Sequence, residues 1–586
     1  MTRTNQLPHI NTLSDIESHF KVLAGPGAGK TTWLSNHLKK VLTESDRLGV
    51  TRKIACITYT NVAAEEILKK MDCDKSRFEI STIHGFLYRN VVKPFAYLIN
   101  KDVEDSLFNL NELSGHEEHI PRIDKINSWI TTLEDGRRSY RYLVNATNRN
   151  RLVKCLSDLD WSFNGGEVSL KFRNPYSSSE ARDIRLPTSQ LLGYKHKYWQ
   201  SGIMHHEDVL YFSYLIISNS ERVLDFIRSK FPYIYIDEFQ DTTELQTWII
   251  KKIASSGTKI GVIGDLAQSI YKFAGAKRSD FENFSLEGLT TYELDKNHRS
   301  TQSIVRFLNN LRADIEQVWP AQAAKGNPVK VLVGSVEDAI QWLNRNRFVE
   351  TYVLTRRNEM VETIKVRSRG ATNDKLKEVY SFDSNSARVK SLHSIFMGYK
   401  LYRKGYSREA IKEITKPIRK AGKDLSDLQL RRAAIKVLVL LRQEEWRNKS
   451  LCEFYMDLRN HINQNYGVLL GAGLAAGSIK TFYQGVTVEE ILPYVKVDTK
   501  SEDKIRTIHS AKGTEFDNVM VHFETQGDFE QNVLKAKVKI NTANDDARLY
   551  YVGFSRAKKN LFINVPTINT TLLNQIHEWS LIEEVL

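Results

Sequence analysis

A run of small residues followed by Lys-Thr lies near the start of the chain and could bind phosphate groups. Its nine residues are Ala24, Gly25, Pro26, Gly27, Ala28, Gly29, Lys30, Thr31 and Thr32. Small residues let a loop wrap with its N–H groups pointing at anionic oxygens, and the following helix N-terminus adds partial positive charge. Lys30 would reach the β- and γ-phosphates, and the Thr31 hydroxyl would ligate Mg²⁺. The run predicts a nucleoside triphosphate site, although the strict pattern has glycine at the position of Ala24.

Two carboxylates, Asp237 and Glu238, directly follow the apolar run 231–236. A buried strand would deliver them to the carboxyl edge of a sheet, where α/β proteins bind ligands. Asp237 is suited to hold Mg²⁺ through water, and Glu238 to orient and deprotonate an attacking water. Acidic pairs at strand ends are common, so the pair indicates hydrolysis only in combination with the phosphate loop.

Gln268, Tyr271 and Phe273 follow the apolar run 259–265, which is typical of another buried strand. A glutamine just beyond a strand edge can sense a γ-phosphate through its amide. Tyr271 and Phe273 are two residues apart, so an extended segment would present both rings on one side. Such rings can form a platform for bases, but the same spacing also occurs in buried cores. The spacing alone leaves both interpretations open.

Alternating strand and helix patterns surround these residues. The loop lies between an apolar strand that ends at 21–23 and a helix over 31–40. Further strands are expected at 53–60, 231–236, 259–265, 329–333, 351–355, 518–524 and 561–565. The strand pattern disappears over 88–200 and again over 370–494. We therefore predict an α/β fold with two units of parallel sheet, each containing one insertion.

The composition is that of a folded, basic protein. The chain has 586 residues, of which 41% are hydrophobic and 10% aromatic, and this excludes wholesale disorder. Lysine and arginine outnumber the acidic residues by 84 to 70, which gives a net charge of +14. Such a balance indicates a polyanionic partner, most often nucleic acid, or else a solvated basic surface.

The cysteines and the apolar runs indicate the compartment. Cys56, Cys73, Cys155 and Cys452 form no Cys-x-x-Cys pair, so neither a zinc site nor a disulfide framework is indicated. The first 15 residues contain no apolar signal core. The longest apolar runs are far shorter than the ~20 residues that span a bilayer. We expect a soluble cytoplasmic protein without a membrane partner.

A basic helical segment lies within the second insertion. Residues 399–449 are rich in lysine and arginine. Such a run can be the solvated face of amphipathic helices, or it can contact the backbone of duplex DNA. The sequence leaves these two interpretations open.

Several motifs in fixed order identify a family. They read AGPGAGKT (24–31), TYTNVAA (58–64), TIHGF (82–86), DEFQD (237–241), GDLAQSIY (264–271), TIHSAKGTEF (507–516) and RLYYVGFSRAK (548–558). With these motifs the chain resembles the UvrD/Rep/PcrA group of superfamily 1 DNA helicases. The family's own phosphate loop has alanine at the position of Ala24. The resemblance covers both α/β units, and the two insertions match by position only.

The resemblance implies two RecA-like P-loop NTPase domains, with parallel sheets flanked by helices and a largely helical subdomain inserted in each. The first domain would comprise 1–90 and 205–293, with the insertion 91–204. The second would comprise 294–370 and 496–586, with the basic helical insertion 371–495.

The resemblance also implies that ATP lies between the two domains. The first domain would contribute Lys30, Thr31, Asp237, Glu238 and Gln268. The second would contribute Arg299 and Arg556 as arginine fingers that stabilise charge on the transferred phosphoryl group. His298, Gly513 and Glu515 would complete the nucleotide site. Since the site is whole only when the domains close, hydrolysis would be coupled to closure.

Contacts to single-stranded DNA are implied for nine residues. They are Tyr59, Thr60, Asn61, His84, Phe86, Tyr271, Phe273, Thr507 and His509. Their rings would stack on bases regardless of sequence. Opening and closing of the domains would then move the strand, with 3′→5′ travel on single-stranded and tailed duplex DNA.

The chain departs from the family pattern at a few positions. His298 stands where the family has a tyrosine that stacks on adenine, so the selectivity for the base is expected to be looser. Phe273 replaces a tryptophan and Ala274 an arginine, and both changes weaken the expected grip on DNA. Gln6 lies at a suitable distance upstream of Lys30 to be the adenine-reading glutamine, but its local context is poor.

The first functional prediction is an ATP-driven 3′→5′ DNA helicase. An alternative is a DNA- or nucleotide-sensing regulatory subunit in which hydrolysis switches a partner nuclease, similar to helicase-like subunits of anti-phage defence systems such as Gabija. The chain ends 30 residues after Arg556, so a fused nuclease domain is not expected and any cleavage would need a partner. A third possibility is a translocase that strips proteins from single strands without opening duplex.

Overall fold

The computed structural model describes residues 5–6, 12–99, 109, 113, 115–117, 119, 121–133, 140–145, 147–254, 257–272, 275–367, 378–379, 382–383, 385–403, 405–421, 425–492, 495, 504–536, 540, 545–579 and 581–586. The chain forms two compact units. The larger unit comprises Met1–Asn358 and Arg506–Leu586, and the smaller comprises Glu359–Ile505.

The strands and helices follow in chain order. The strands are β1 Asn5–Gln6, β2 Phe20–Ala24, β3 Ile54–Thr58, β4 Phe78–Thr82, β5 His116–Glu117, β6 Leu159–Asn164, β7 Glu167–Phe172, β8 Met204–His205, β9 Tyr233–Ile236, β10 Lys259–Gly264, β11 Thr290–Leu294, β12 Lys330–Val333, β13 Thr351–Thr355, β14 Ile505–Thr507, β15 Phe516–His522, β16 Ala557–Val565 and β17 Ile582–Val585. The helices are α1 Lys30–Glu44, α2 Asn61–Lys70, α3 Ile83–Leu87, α4 Lys93–Phe95, α5 Ile123–Thr132, α6 Arg149–Ser157, α7 Pro175–Asp183, α8 Leu191–Trp199, α9 His206–Asn219, α10 Glu221–Lys230, α11 Glu244–Ile253, α12 Arg278–Glu282, α13 Gln302–Leu311, α14 Val336–Arg345, α15 Asn358–Arg367, α16 Ser386–Arg403, α17 Ser407–Ala421, α18 Asp427–Arg442, α19 Leu451–Tyr466, α20 Ser478–Gln484, α21 Val488–Ile491, α22 Ile508–Ala511, α23 Gln526–Phe529, α24 Asp545–Phe554 and α25 Thr570–Glu578.

The first sheet has seven parallel strands in the order β1, β11, β2, β10, β9, β3, β4. All five residues of β3 are buried, which is typical of a parallel strand covered by helices on both faces. The neighbours β2, β10 and β9 end side by side at the carboxyl edge. This order brings Ala24, Asp265 and Asp237 to one edge of the sheet.

A cluster of aromatic side chains anchors the strand and helix that flank the phosphate loop. Phe20 of β2 contacts the rings of Trp33 and His37 on α1, with ring centroids 5.7 and 5.2 Å apart. Burial lowers the pKa of His37 to about 3, so this ring packs as a neutral group. A Cβ at Gly261 of β10 would lie 2.1 Å from the Phe20 ring, so glycine is required there. The packing fixes the direction in which α1 leaves the loop.

The second sheet has six strands in the order β14, β13, β15, β16, β12, β17, and β13, β15, β16, β12 and β17 pair in parallel. Its core includes Tyr550 and Tyr551 of α24. Ala267 and Ile270, which follow β10 of the first sheet, pack into the same core. The two sheets therefore share apolar contacts next to the carboxyl edge of the first.

The chain between α3 and α9 forms a mixed insertion within the larger unit. It contains helices α5 to α8 and the antiparallel hairpin of β6 and β7. The buried carboxylate of Asp208, in α9, connects this insertion to the helices that flank the first sheet. Asp208 accepts hydrogen bonds from the indoles of Trp161 (3.0 Å) and Trp199 (2.9 Å), and its Oδ1 lies 2.8 Å from Lys195 Nζ. Burial alone would raise the pKa of Asp208, but Lys195 and the hydrogen bonds hold it far below its usual range.

Replacing Asp208 by alanine is expected to lower the free energy of unfolding by about 3–5 kcal/mol, because it leaves the buried Lys195 ammonium without its negatively charged partner. Urea unfolding followed by circular dichroism measures the effect. The matched control is Asp225→Ala, which breaks an exposed ion pair with Arg228 and should cost less than about 1 kcal/mol. Equal losses for both variants would contradict the structural role given to Asp208.

The smaller unit, Glu359–Ile505, is helical and has its own hydrophobic core. Helices α16, α17, α18 and α19 pack successively on one another. Within it the guanidinium of Arg388 donates two hydrogen bonds to Asp383, at 2.6 and 2.7 Å, and Tyr483 donates a third. The predicted insertion 371–495 falls inside this unit, and its boundaries stay a prediction.

The two parallel sheets flanked by helices confirm the predicted α/β fold class with two RecA-like domains. Among the described residues, no helix has both the length and the apolar character needed to cross a bilayer.

Candidate functional site

The phosphate loop connects β2, which ends at Ala24, to α1, which begins at Lys30. Gly27 and Gly29 have φ angles of 68° and 76°, in the left-handed region that favours glycine. A Cβ on Gly29 would meet no atom within 4 Å, so the backbone conformation rather than crowding requires glycine there. The loop therefore has a conformation in which its N–H groups can surround an anion.

The predicted acidic pair lies beside the loop. Glu238 Oε1 is 3.9 Å from Lys30 Nζ, and the Glu238 N–H donates to Asp237 Oδ1 at 2.9 Å. Glu238 has a φ of 53°, which is uncommon for a residue with a side chain and is typical of functional sites. Burial and the charge of Glu238 raise the pKa of Asp237. Burial also opposes ionisation of Glu238, but Lys30 and Lys512 lower its pKa.

Arg556 reaches this edge of the first sheet from the second half of the chain. Its Nη2 donates to Gln268 Oε1 at 3.1 Å, and Gln268 Nε2 donates to Asp265 Oδ2 at 2.8 Å. Arg556 is 3% exposed. Burial, together with the nearby charge of Arg299, lowers its pKa to about 9. A buried guanidinium with a depressed pKa is a group that an anionic ligand would stabilise.

Arg299 is the second predicted arginine, and it lies close to Arg556. Its Nη2 lies 2.5 Å from Glu515 Oε1, and its Nη1 donates to the carbonyl of Ser555 at 2.9 Å. Its buried Nε has no hydrogen-bond partner among the described residues. The predicted nucleotide contacts Arg299 and Glu515 are thus paired with each other.

The donors at this edge fit a triphosphate and a divalent cation. Lys30, Arg299 and Arg556 are cations around a buried carboxylate pair, and one guanidinium nitrogen lacks an acceptor. Phosphate oxygens are the acceptors that such groups bind best. Thr31, beside Lys30 on α1, and the buried carboxylate of Asp237 are hard oxygen ligands of the kind that Mg²⁺ prefers.

Gln317 is a residue that the motifs did not indicate, and it holds the phosphate loop directly. Its Nε2 donates to the carbonyl of Pro26 at 2.9 Å, and a Cβ on Gly25 would lie 2.4 Å from the same nitrogen. The Asn309 side chain accepts from the Gln317 N–H at 3.0 Å, and Asn297 Nδ2 donates to Gln317 Oε1 at 3.3 Å. The buried side-chain amide of Gln317 therefore holds the phosphate loop in place, although Gln317 does not belong to the first sheet.

Asn297, which donates a hydrogen bond to Gln317, also contacts the predicted arginine finger Arg299. Asn297 Oδ1 accepts the N–H groups of Arg299 and Ser300 at 2.9 and 3.0 Å. The N–H of His298 donates to the carbonyl of Gly27 at 2.9 Å. The conformation of the loop and the position of Arg299 are thereby linked through the Asn297 side chain and the main-chain hydrogen bond of His298. Asn297 directly precedes His298 and Arg299, which the family resemblance indicated, but no sequence signal indicated Gln317.

Replacing Gln317 by leucine is expected to raise the KM for ATP by about 5- to 30-fold, with a smaller change in kcat. Leucine fills the space but leaves the Pro26 carbonyl without its donor, so the loop loses its preformed shape. Steady-state hydrolysis at varied ATP concentrations measures KM and kcat separately. The matched control is Gln302→Leu, because Gln302 donates to the carbonyl of Ala323 instead. An unchanged KM in Gln317→Leu would contradict the role of Gln317 in holding the phosphate loop.

A buried arginine links the two halves behind Gln268. Arg312 is among the largest fully buried side chains, and its Nη2 lies 3.2 Å from Asp265 Oδ1. Its Nη1 donates to the hydroxyl of Tyr551 at 3.1 Å, and Asp314 pairs with its Nε at 2.8 Å. Asp265 thus accepts from Gln268 on one side and from Arg312 on the other. The sequence contained no motif that indicated Arg312.

Lys512 links the acidic edge to a pair of stacked tyrosines. Its Nζ pairs with Asp241 and donates to the carbonyl of Gln268 at 2.9 Å. The same ammonium lies 4.7 Å from the ring centroid of Tyr271. Tyr271 stacks on Tyr59, with centroids 4.7 Å apart and an interplanar angle of 24°. Lys512 is therefore the residue between the two predicted DNA-binding rings and the predicted hydrolytic site.

Two family models match the chain. The UvrD/REP helicase N-terminal domain matches residues 4–287, and the UvrD-like helicase C-terminal domain matches residues 477–567. Together they cover more than half of the chain. The chain belongs to the UvrD-like helicase family. The general activity of this family, DNA helicase action driven by ATP, is therefore that of this protein.

Curated relatives of this UvrD-like helicase are similar at low identity. The Gabija protein GajB of Bacillus cereus (strain HuB5-5) is 22% identical, over 92% of this chain and 91% of its own. A probable DNA helicase II homolog of Mycoplasma genitalium is 22% identical, over 92% of this chain and 82% of its own. The ATP-dependent DNA helicase PcrA of Staphylococcus epidermidis is 23% identical, over 71% of this chain and 53% of its own.

The remaining predicted DNA contacts of the helicase have different surroundings. The side chains of Thr60 and Thr507 cap α2 and α22 by accepting from Ala63 and Ser510. Asn61 is exposed at the first position of α2. The ring centroid of His509 lies 6.3 Å from that of Tyr271. His509 thus extends the surface of the tyrosine pair.

Phe86 and His84 lie differently from what the motif implied. Phe86 is 1% exposed and packs on Phe231 at a centroid distance of 5.1 Å, so we assign it to the core instead of the DNA surface. A ring buried among apolar side chains cannot stack on a base. His84 lies in a group with His206 and His116, and burial lowers its pKa to about 4.

Four further positions named from the sequence are His298, Gly513, Phe273 and Gln6, and their assignment to the nucleotide or to DNA stays a prediction. His298 is exposed beside the loop, and Gly513 has a φ of 83°. Phe273 and Ala274 lie outside the described residues. Gln6 belongs to β1, which pairs with β11, but its side chain lies outside the described part.

Proposed function

We propose that this UvrD-like helicase moves 3′→5′ on single-stranded DNA and unwinds tailed duplex at the expense of ATP. The observation that carries the proposal is the meeting, at one sheet edge, of Lys30 and Glu238 from the first half with Arg556 from the second. The direction of travel rests on the family resemblance.

In the proposed reaction Lys30 and the loop N–H groups bind the β- and γ-phosphates. Glu238 orients the attacking water and accepts its proton, and the neighbouring Lys30 keeps the carboxylate ionised beforehand by lowering its pKa. Mg²⁺ held by Thr31 and Asp237 would neutralise phosphate charge. Arg556 and Arg299 stabilise the charge that develops on the transferred phosphoryl group.

The link between hydrolysis and movement is proposed to run through Lys512. Its ammonium contacts Asp241 of the acidic edge and the face of Tyr271 at the same time. A change in charge at the γ-phosphate would shift this ammonium and with it the tyrosine pair. Tyr59 and Tyr271 would stack on bases of any sequence.

Replacing Tyr271 by alanine is expected to weaken binding of single-stranded DNA by about tenfold, since one stacked base contributes about 1–3 kcal/mol. Fluorescence anisotropy with a labelled oligonucleotide measures the affinity. Tyr97→Ala is the matched control, because Tyr97 is an exposed tyrosine on the same unit. If both variants bind DNA like the wild type, the tyrosine pair belongs to the packing of the protein only.

The test of the proposed function measures ATP hydrolysis with and without single-stranded DNA, followed by unwinding of duplexes with a 3′ or a 5′ tail. We expect stimulation by DNA and opening of the 3′-tailed duplex alone. Opening of the 5′-tailed duplex would overturn the polarity. Stimulated hydrolysis with no unwinding of either substrate would replace helicase action by strand translocation.

A second candidate function is favoured by the similarity to Gabija protein GajB, which extends over nearly the whole of both chains. Here the ATPase would sense DNA or nucleotide and activate a partner nuclease. We propose a cytoplasmic location in either case, and the four cysteines are all unpaired thiols. Very low hydrolysis by the isolated chain, restored when a co-purified nuclease is added, would favour this candidate over the first.

A further inference from the structure

Helix α18 is apolar on two sides. One side packs into the core of the helical unit through Leu430, Ala433, Ala434, Val437, Leu438 and Leu441. On the opposite side the residues Leu428, Ile435 and Val439 are 59%, 46% and 60% exposed. Because an α-helix turns about 100° per residue, these three side chains fall within about 40° of one another. We call them the α18 stripe.

Positive charges border the α18 stripe on both sides. Arg431 and Arg442 project on one side of it, and Arg432 and Lys436 on the other, as the helical turn of about 100° per residue requires. All four residues are exposed. Residues 428–442 contain no aspartate or glutamate. The surface is therefore an apolar line between two rows of cations.

We propose that the α18 stripe is the docking site for an amphipathic helix of a partner protein, with an apolar face and acidic residues on both sides of that face. The spacing from Leu428 to Ile435 to Val439 is seven and then four residues, which matches the heptad pattern of paired helices. Acidic residues of the partner would face the bordering cations in the way that flanking charges select partners in coiled coils.

The charge and the apolar centre disfavour other occupants. A second copy of the chain would oppose four cations with four cations, which costs free energy where like charges meet. A DNA duplex would satisfy the cations, but its phosphates would bury Leu428, Ile435 and Val439 against charged oxygens instead of apolar atoms. An acidic amphipathic helix satisfies both features of the surface.

The size of the stripe sets the size of the partner segment. From Leu428 to Val439 the helix advances about 16 Å, at 1.5 Å per residue. A partner helix of about three turns would cover it. Contact along one exposed helix buries little area, so the complex is expected to be transient, with a dissociation constant of about 1–100 μM.

This inference does not depend on the proposed helicase function. The stripe contains none of the residues assigned to the nucleotide or to single-stranded DNA. A failure of the docking experiment therefore leaves the proposed reaction unchanged, and an inactive ATPase leaves the docking experiment interpretable.

The test uses the full chain and a fluorescein-labelled synthetic peptide of about three heptads, with leucine at the core positions and glutamate at the flanking positions. A second peptide has lysine in place of every glutamate. The stripe variant is Leu428→Ser, Ile435→Ser, Val439→Ser. The matched control is Leu469→Ser, because Leu469 is an exposed leucine of the same unit outside α18. A circular-dichroism spectrum and a thermal unfolding midpoint equal to those of the wild type verify that each variant folds.

We expect the acidic peptide to bind the wild type and Leu469→Ser equally, the stripe variant at least about tenfold more weakly, and the lysine peptide to bind neither. Equal binding of the acidic peptide to the stripe variant would overturn the proposal. So would displacement of the peptide by duplex DNA with a matching loss of duplex affinity in the stripe variant. Dimerisation of the wild type that the stripe variant abolishes would assign the surface to a second copy instead.

Discussion

Replacing Arg556 by alanine is expected to lower the turnover of ATP by about 10³-fold or more, with ATP binding changed by less than about threefold. The guanidinium lies at the carboxyl edge of the first sheet but is supplied by the loop between α24 and β16. In the proposed reaction it stabilises charge that appears only as the γ-phosphoryl group is transferred. Phosphate release measures turnover, and a fluorescent ATP analogue measures binding.

The controls separate a loss of chemistry from a loss of structure. Lys558→Ala changes a nearby cation of the same motif, which pairs with Asp517 at 3.3 Å on the surface, and should leave turnover within about twofold of the wild type. Arg556→Lys keeps the charge but loses the planar fork that reaches Gln268, so it should recover only part of the rate. Equal losses of binding and turnover in Arg556→Ala would argue against a finger role.

Replacing Lys30 by alanine is expected to abolish hydrolysis, with turnover at least about 10³-fold below the wild type, and also to weaken ATP binding. The Lys30 ammonium lies 3.9 Å from Glu238 Oε1. Its removal takes away a proposed phosphate ligand and one of the three cations, with Lys512 and Arg556, that lower the Glu238 pKa. The same turnover and binding assays apply.

Lys39→Ala is the matched control for Lys30→Ala. Lys39 lies on the same helix but pairs with Asp72 at 2.5 Å on the surface, so its removal should leave hydrolysis nearly unchanged. The two predictions also check each other, because loss of Lys30 should affect binding and loss of Arg556 should not. A Lys30→Ala protein with near-normal turnover would mean that the nucleotide binds elsewhere.

The sequence by itself determined the fold class and indicated which residues lie at the carboxyl edge of the first sheet. The phosphate loop, Asp237, Glu238 and Gln268 each follow a buried strand, and the carboxyl ends of parallel strands meet at one edge of a sheet. Local patterns of this kind suffice because strand, loop and helix are neighbours in the chain. The order of the motifs also indicated the family, which the two family models confirm.

Only the tertiary structure decided which residues support that edge. Gln317 contacts Pro26 across 291 positions of the chain, Lys512 contacts Asp241 across 271, and Arg312 contacts Tyr551 across 239. Side chains that far apart carry no shared local pattern, since their meeting depends on how two separately formed sheets pack. Burial likewise decided that Phe86 belongs to the core, although its motif is one that contacts DNA in the family.

The basic helical segment shows the same division between sequence and structure. Its composition predicted helices with cations and left open whether they face water or a nucleic acid. The sequence of α18 is apolar on two opposite sides, so periodicity could not tell its buried face from its exposed one. Packing against the neighbouring helices determines which side is buried. It covers Leu430 and Val437 and leaves the α18 stripe on the surface.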